Sequence, residues 1–291
     1  MMLNVVKLSI LNNLIWFIRF MKVVCFNLLF FLFISSVFGQ SLLSGKVKDR
    51  KGEPLPYANI GVKGGKVGTV SLIDGTFSIS IVDSLLNDSL TFSSIGFKDK
   101  TFKIRSLITS KANLEIILDE KIISLEEVKI SNRKPKRYKL GITGRTPMVY
   151  IPTQSYGKND MAEQARLIHL KKPARLINAN IFVLSGSMTE VSIRLNFYKV
   201  ENGLPGERLV EKSIIRKATL KNSWFSIDLS EEDIYLDEDF VVAFEYLPSA
   251  KSSIVFGAKL GASDSFFRSS SQGLWRKNRM GGCSIYVTAE I

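Results

Sequence analysis

With 291 residues the chain has room for two domains of ordinary size, and its 45% apolar and 23% charged content is that of a folded protein, which excludes disorder as the default. A net charge of +13 admits acidic lipid headgroups or anionic polysaccharide as contacts. Phe outnumbers Trp by 19 to 3, and β-branched residues crowd the short runs after residue 40, so strands are favoured over helices.

The first 40 residues differ from the rest. Lys22 precedes an uncharged apolar run that ends in Val37-Phe38-Gly39-Gln40, which reads as a signal peptide, 1–39, cleaved near Gly39. Met21 is an alternative start, which makes 1–20 an upstream extension. An uncleaved anchor is the competing reading, although the run is slightly short of the roughly 20 residues a span requires. Cys25 falls inside this segment and lacks the small-residue approach of a lipid-attachment site. Export implies the periplasm or cell surface, associated with the outer membrane. It removes nucleic acid from the expected partners and leaves an envelope protein or a glycan, with peripheral contact to an acidic membrane surface or polysaccharide.

From residue 42 the pattern is that of a small β-sandwich. Strands are predicted over 43–47 and 57–62, and a further run follows the Asp74-Gly75 turn. Alternation at Leu90/Phe92 and Leu114/Ile116/Leu118 supplies the remaining strands, with one face inward. Gly64-Gly65 between Lys63 and Lys66 forms a glycine-broken loop without the strand-loop-helix context of a phosphate cradle. The residues Gly45, Val47, Asp49, Gly52, Pro54, Leu55, Ala58, Ile60, Gly68, Thr69, Ser71, Gly75, Phe77 and Ile79 resemble the carboxypeptidase-regulatory-like domain. This is a transthyretin-like, seven-stranded sandwich of Bacteroidetes-type secreted and outer-membrane proteins, and the likeness covers 42–119. It implies a fold, and function has to be argued from sites.

Leu125-Glu126-Glu127-Val128 is similar to the strand that precedes the plug in TonB-dependent receptors. The likeness stops there, so such a receptor is not expected. Residues 120–140 read as this strand followed by a basic linker with Arg133, Lys134, Lys136, Arg137 and Lys139 around Pro135. The second domain, 141–291, shows about seven alternating runs: 177–184, 191–200, 209–215, 224–229, 240–247, 254–258 and 282–291. Asn202-Gly203-Leu204-Pro205-Gly206 is the clearest turn, and residues 159–168 fit a short helix or a strand. The runs predict an antiparallel β-sandwich or jelly roll, broadly similar to galactose-binding-like jelly rolls, so the whole chain is read as all-β.

A search for chemistry returns little, and the chain reads as a non-enzyme without a cofactor or metal. His169 is the sole histidine, so zinc would lack nitrogen donors and a serine triad would have to recruit this one residue. Cys283 alternates with Ile285 and Val287, as a core thiol does. The acids Glu231, Glu232, Asp233, Asp237, Glu238 and Asp239 read as acidic turns, with a calcium site as the sharper alternative. Aromatic residues with polar neighbours make a sugar platform the best candidate site, formed by Trp275, Arg276, Tyr198 and Phe267, while Trp224 sits in a regular strand and reads as packing. The expected role is an exported interaction module. Carbohydrate binding through the C-terminal aromatics is the alternative, and a hydrolase is third.

Overall fold

The computed structural model describes residues 16–26, 40–109, 113–122, 135–156, 159–184, 190–219, 221–248 and 254–291. The chain divides into two compact units, 1–40 and 41–291. In the first, residues 16–26 form a helix (α1) whose side chains are all exposed, Cys25 included. No helix among the described residues is long and apolar enough to cross a membrane. The cleavage position near Gly39 and the strand expected at 125–130 lie outside the described residues.

The second unit is all-β and opens with seven strands: β1 Gln40–Lys48, β2 Asn59–Val62, β3 Gly68–Val70, β4 Thr76–Val82, β5 Ser89–Ser93, β6 Lys100–Lys103 and β7 Leu114–Ile117, with a short helix α2 at Ile104–Thr109 before the last. They form a three-stranded sheet β4-β1-β7 and a four-stranded sheet β3-β2-β5-β6, the transthyretin-like count of strands. Phe77, Ile79 and Ile81 alternate with solvent-facing serines along β4 and meet Val47, Ile60, Leu90 and Phe92 in the core. Phe92 packs edge-on to Phe77 at 5.5 Å between centroids and to Phe102 at 6.0 Å. The Asp74-Gly75 turn forms as expected. Asp74 Oδ1 accepts hydrogen bonds from the Thr76 N–H (3.0 Å) and hydroxyl (2.6 Å), and Gly75 takes a φ of +79° that a side chain would resist.

The remaining strands are β8 Arg137–Gly141, β9 Tyr150–Thr153, β10 Ala162–Ile168, β11 Ala174–Val183, β12 Glu190–Glu201, β13 Leu204–Arg208, β14 Ile214–Thr219, β15 Ser223–Asp228, β16 Tyr235–Leu236, β17 Phe240–Tyr246, β18 Ile254–Leu260, β19 Ser265–Arg268, β20 Arg276–Lys277, β21 Gly281–Cys283 and β22 Ile285–Glu290. A seven-stranded sheet, β13-β12-β17-β10-β19-β20 with β14 beside β12, faces an eight-stranded one, β21-β18-β11-β22-β8 with β9, β15 and β16 attached. Between them lies the larger core, built on Ile181, Ile193, Leu195, Phe197, Phe244, Phe256, Ile285 and Val287. This is the antiparallel sandwich that period-two alternation predicts.

Several local readings change. The end of the basic stretch is a strand: β8 pairs with β22 in the register Lys139↔Thr288, Arg137 Nε lies 3.0 Å from Glu290, and Lys136 and Ile291 exchange backbone hydrogen bonds. Residues 162–168 are strand, which resolves the helix-or-strand ambiguity. The run expected at 209–215 is mostly connection: the Asn202-Gly203 turn returns β13, Leu204–Arg208, along β12, residues 209–213 lead away from it, and only Ile214 and Ile215 of the run are strand, at the start of β14.

Candidate functional site

The outer face of the seven-stranded sheet carries the unusual chemistry. Along β12, Val191, Ile193, Leu195 and Phe197 point into the core, so Arg194, Asn196 and Tyr198 point the other way, toward what would ordinarily be water. All three are nevertheless buried, at 2%, 2% and 3% exposure. Strand register sets Arg268 of β19, Glu163 of β10, Glu245 of β17 and Arg194 of β12 in one row across four strands. The row reads plus, minus, minus, plus, so its formal charge is zero.

Each charge in the row is held by directed hydrogen bonds. Arg194 grips Glu245 with two, Nε to Oε2 at 2.7 Å and Nη2 to Oε1 at 2.5 Å. Arg268 Nε donates to Glu163 Oε2 at 2.5 Å. The two carboxylates are bridged by Asn196, whose Nδ2 donates to Glu163 and to Glu245 at 2.7 Å each. Tyr198 donates to Glu163 at 2.9 Å and accepts from Arg268 at 3.0 Å. Burial alone would push the Glu245 carboxyl up, but the Arg194 guanidinium outweighs it and holds the group below its ordinary range. Burial, aided by the Glu163 charge, pushes the Tyr198 hydroxyl up, so it stays a donor.

Arg194 also reaches the first sandwich. Its Nη1 donates to the Tyr57 carbonyl at 2.8 Å and its Nη2 to Asn59 Oδ1 at 3.1 Å. Around this pin the β2–β3 hairpin lies against the segment before β10 and the loop after β19. Val70 N–H and the Thr69 hydroxyl donate to the Asn159 carbonyl, Gly64 N–H donates to Gln272 O at 2.7 Å, and Ser270 Oγ donates to Gly65 O at 3.0 Å. A Cβ at Gly61 would overlap the Ser271 carbonyl, and one at Gly68 would stand 2.7 Å from Asp160 Oδ2, so the backbones meet only because these residues have no side chain. Asp160 Oδ1 accepts from the N–H groups of Met161 (2.8 Å) and Ser271 (2.9 Å), whereas its Oδ2 has no hydrogen-bond partner among the described residues. Burial pushes this carboxyl up to about 6.

Beside the joint opens a shallow cleft that encloses about 60 Å³, lined by Lys66 and the Gly64-Gly65 loop on one side and by Tyr156, Phe267, Leu274 and Arg276 on the other. Lys66 Nζ lies 5.6 Å from the Tyr156 ring centroid.

The four residues proposed from sequence separate into two pairs. Phe267 and Arg276 line the cleft. Tyr198 lies in the charged row, with Trp275 half-buried against it at 5.5 Å between centroids and under the Arg268 guanidinium at 4.8 Å. Trp224 stands half-buried on the outer face of the eight-stranded sheet, edge-on to Phe182 and Tyr286. His169 Nδ1 is 2.6 Å from Asp239 on the surface. Cys283 is buried, donates to Gln164 Oε1 at 3.3 Å, and has its thiol pushed up by that burial, away from nucleophilic use. The acidic turns engage bases: Glu232 meets Lys212 and Arg216, and Asp233 meets Arg175. Among the described residues no group of three His, Cys, Asp or Glu side chains converges on a metal position. Sequence reasoning missed Arg194, Glu245, Glu163, Arg268, Asp160 and Lys66. The available signal was a charge set inside otherwise apolar strands, as with Glu245 in the run from Phe240 to Tyr246.

These features define an all-β protein of two joined sandwiches, the first of them regulatory-like. Residues 43–130 match the CarboxypepD_reg-like domain, and the chain carries that domain at its N-terminal side. Two curated relatives share part of the sequence. TonB-dependent receptor SusC of Bacteroides thetaiotaomicron is 28% identical over 177 residues, 60% of this chain and 14% of the receptor. TonB-dependent receptor P39 of Formosa agariphila is 30% identical over 95 residues, 33% of this chain and 9% of the receptor. The chain thus spans a small fraction of the length of either receptor. Among solved structures, the cysteine protease and lectin-like domains of Cwp84, a surface layer associated protein of Clostridium difficile, align at 8% identity over 48% of this chain and 36% of theirs, with a TM-score of 0.35. Infectious bursal disease virus Gt strain aligns at 10% identity over 86% of this chain and 63% of its own, with a TM-score of 0.26. Likenesses this low carry no argument.

Two outcomes test the joint. Arg194→Met leaves Glu245 buried without its counter-ion, and urea unfolding should show a loss of about 3–5 kcal/mol, most of which returns in the double variant Arg194→Met, Glu245→Leu. For Asp160 the folded carboxyl binds its proton more tightly than the unfolded one. The native state therefore holds more protons between about pH 4 and 6, and stability falls as pH rises through that window. Asp160→Asn removes this penalty, so at pH 7 the variant should exceed the wild type by on the order of 1–3 kcal/mol, with the gap closing below pH 4.

Proposed function

We propose that this chain is an exported, non-catalytic interaction module of the cell envelope, in which the first sandwich docks or spaces and the second contacts a partner. The domains of this reading are a signal segment at 1–39, the regulatory-like sandwich at 42–119, a strand and basic stretch at 120–140, and the C-terminal sandwich at 141–291. The observation that carries it is the joint. A buried arginine of the second sandwich donates to the Tyr57 carbonyl and to the Asn59 side chain of the first, so a position imposed on one sandwich is transmitted to the other.

The envelope context is supported by the receptors that share the first domain. A non-catalytic role is supported by the disposition of the reactive side chains of the sandwiches, since the Cys283 thiol is buried and His169 pairs with a surface carboxylate. A second reading, glycan binding, is favoured by the cleft, which sets Phe267 and Arg276 beside Tyr156 and Lys66, with Trp275 and Tyr198 packed behind.

A photo-crosslinking residue placed at Leu274, exposed on the cleft rim, should yield envelope-fraction adducts larger than the monomer. The same probe at exposed Ile117 of the first sandwich should give a different adduct pattern. Recovery of soluble monomer alone from both positions would contradict the interaction role.

A further inference from the structure

Resting on the glycan reading, we propose that the cleft beside the joint takes an anionic sugar residue: a pyranose ring bearing a carboxylate or a sulfate ester. Its lining contains three cations, Lys66, Arg268 and Arg276, and no acid. Arg268 is committed to Glu163, but Lys66 and Arg276 have no carboxylate partner among the described residues. Both are exposed, so each can turn its charge onto a bound anion without breaking an existing pair.

The other walls select for more than an anion. Phe267, Tyr156 and Leu274 are apolar surfaces around the same opening, and a bare inorganic ion would leave them wet. A pyranose places C–H groups on a ring face and its acidic group at an edge, so one residue can cover the apolar walls while reaching the cations. Ser269 and Ser270 at the base belong to the hydrogen-bonded loop: Ser269 O accepts from the Tyr156 N–H at 2.7 Å, and Ser270 Oγ donates to Gly65 O at 3.0 Å. The cleft is thus built from both sandwiches, with Lys66 from the first and Arg276 from the second. A ligand held there bridges them and stabilises the joint by mass action.

Galacturonic acid, galactose 6-sulfate, galactose and inorganic sulfate serve as separate arms in titration calorimetry and thermal melting of the exported chain. Tighter binding of at least one acidic sugar than of galactose or sulfate by about tenfold, with a rise in Tm, supports the proposal, and the stronger of the two acidic sugars identifies the source of the charge. Lys66→Ala and Arg276→Ala should each weaken that binding about tenfold and leave the unliganded Tm in place, since both side chains are exposed. Phe267→Ala should bring the acidic sugar down to the affinity of sulfate. Equal binding of galactose overturns the anionic assignment while leaving the glycan reading intact. Equal binding of sulfate overturns the sugar assignment. No binding in any arm removes both, and the Leu274 crosslinks then decide the protein-partner reading separately.

Discussion

The bidentate grip of Arg194 on Glu245 is the constraint on which the rest of this protein depends. Neither ion reaches water, so leaving either one without the other costs several kcal/mol, on the order of 3–5, and the pair stays closed as long as both ions are present. The pair closes inside a row of four charges fixed by strand register, and a one-residue slip of β12 or β17 would point the ions into the apolar core instead. The same guanidinium has donors left over, and these are satisfied by Tyr57 and Asn59 of the other sandwich. One side chain therefore takes part both in the register of one sandwich and in the docking of the other.

That arrangement alters the meaning of having two domains. Each sandwich has its own apolar core, as alternation implies, with Phe92 at the centre of one and Phe244 in the other. The surface between them is polar, small-residue-lined and hydrogen-bonded, unlike the greasy patch that often joins domains. Polar contacts of this kind are directional, so they define one relative geometry. The cleft inherits that geometry, because its cations come from both sides.

Much of the fold was legible because burial imposes a period of two. Phe77, Ile79 and Ile81 announce β4, and Val191, Ile193, Leu195 and Phe197 announce β12. By contrast β8 has no buried residue to betray it. Its Arg-Tyr-Lys-Leu-Gly sequence is an edge strand held by backbone bonds to β22, and basic composition made it look like a solvated linker. Two-residue strands such as β20 are too short to show any period. For the candidate site, Phe267, Trp275 and Arg276 were visible as a local aromatic and basic cluster. The contribution of Lys66 depends on docking across the joint, and the role of Tyr198 depends on Glu163, 35 positions away in the chain. Arg194 was readable as an oddity within an apolar strand, but its partners arise from pairing that sequence spacing does not reveal.

Calorimetric unfolding of the chain over residues 41–291 tests the welded joint most directly. Sandwiches welded in this way should unfold in a single cooperative transition in which the calorimetric and van't Hoff enthalpies agree. Two separable transitions, one for each sandwich, would show that Arg194 and its partners do not bind the two halves into one folding unit.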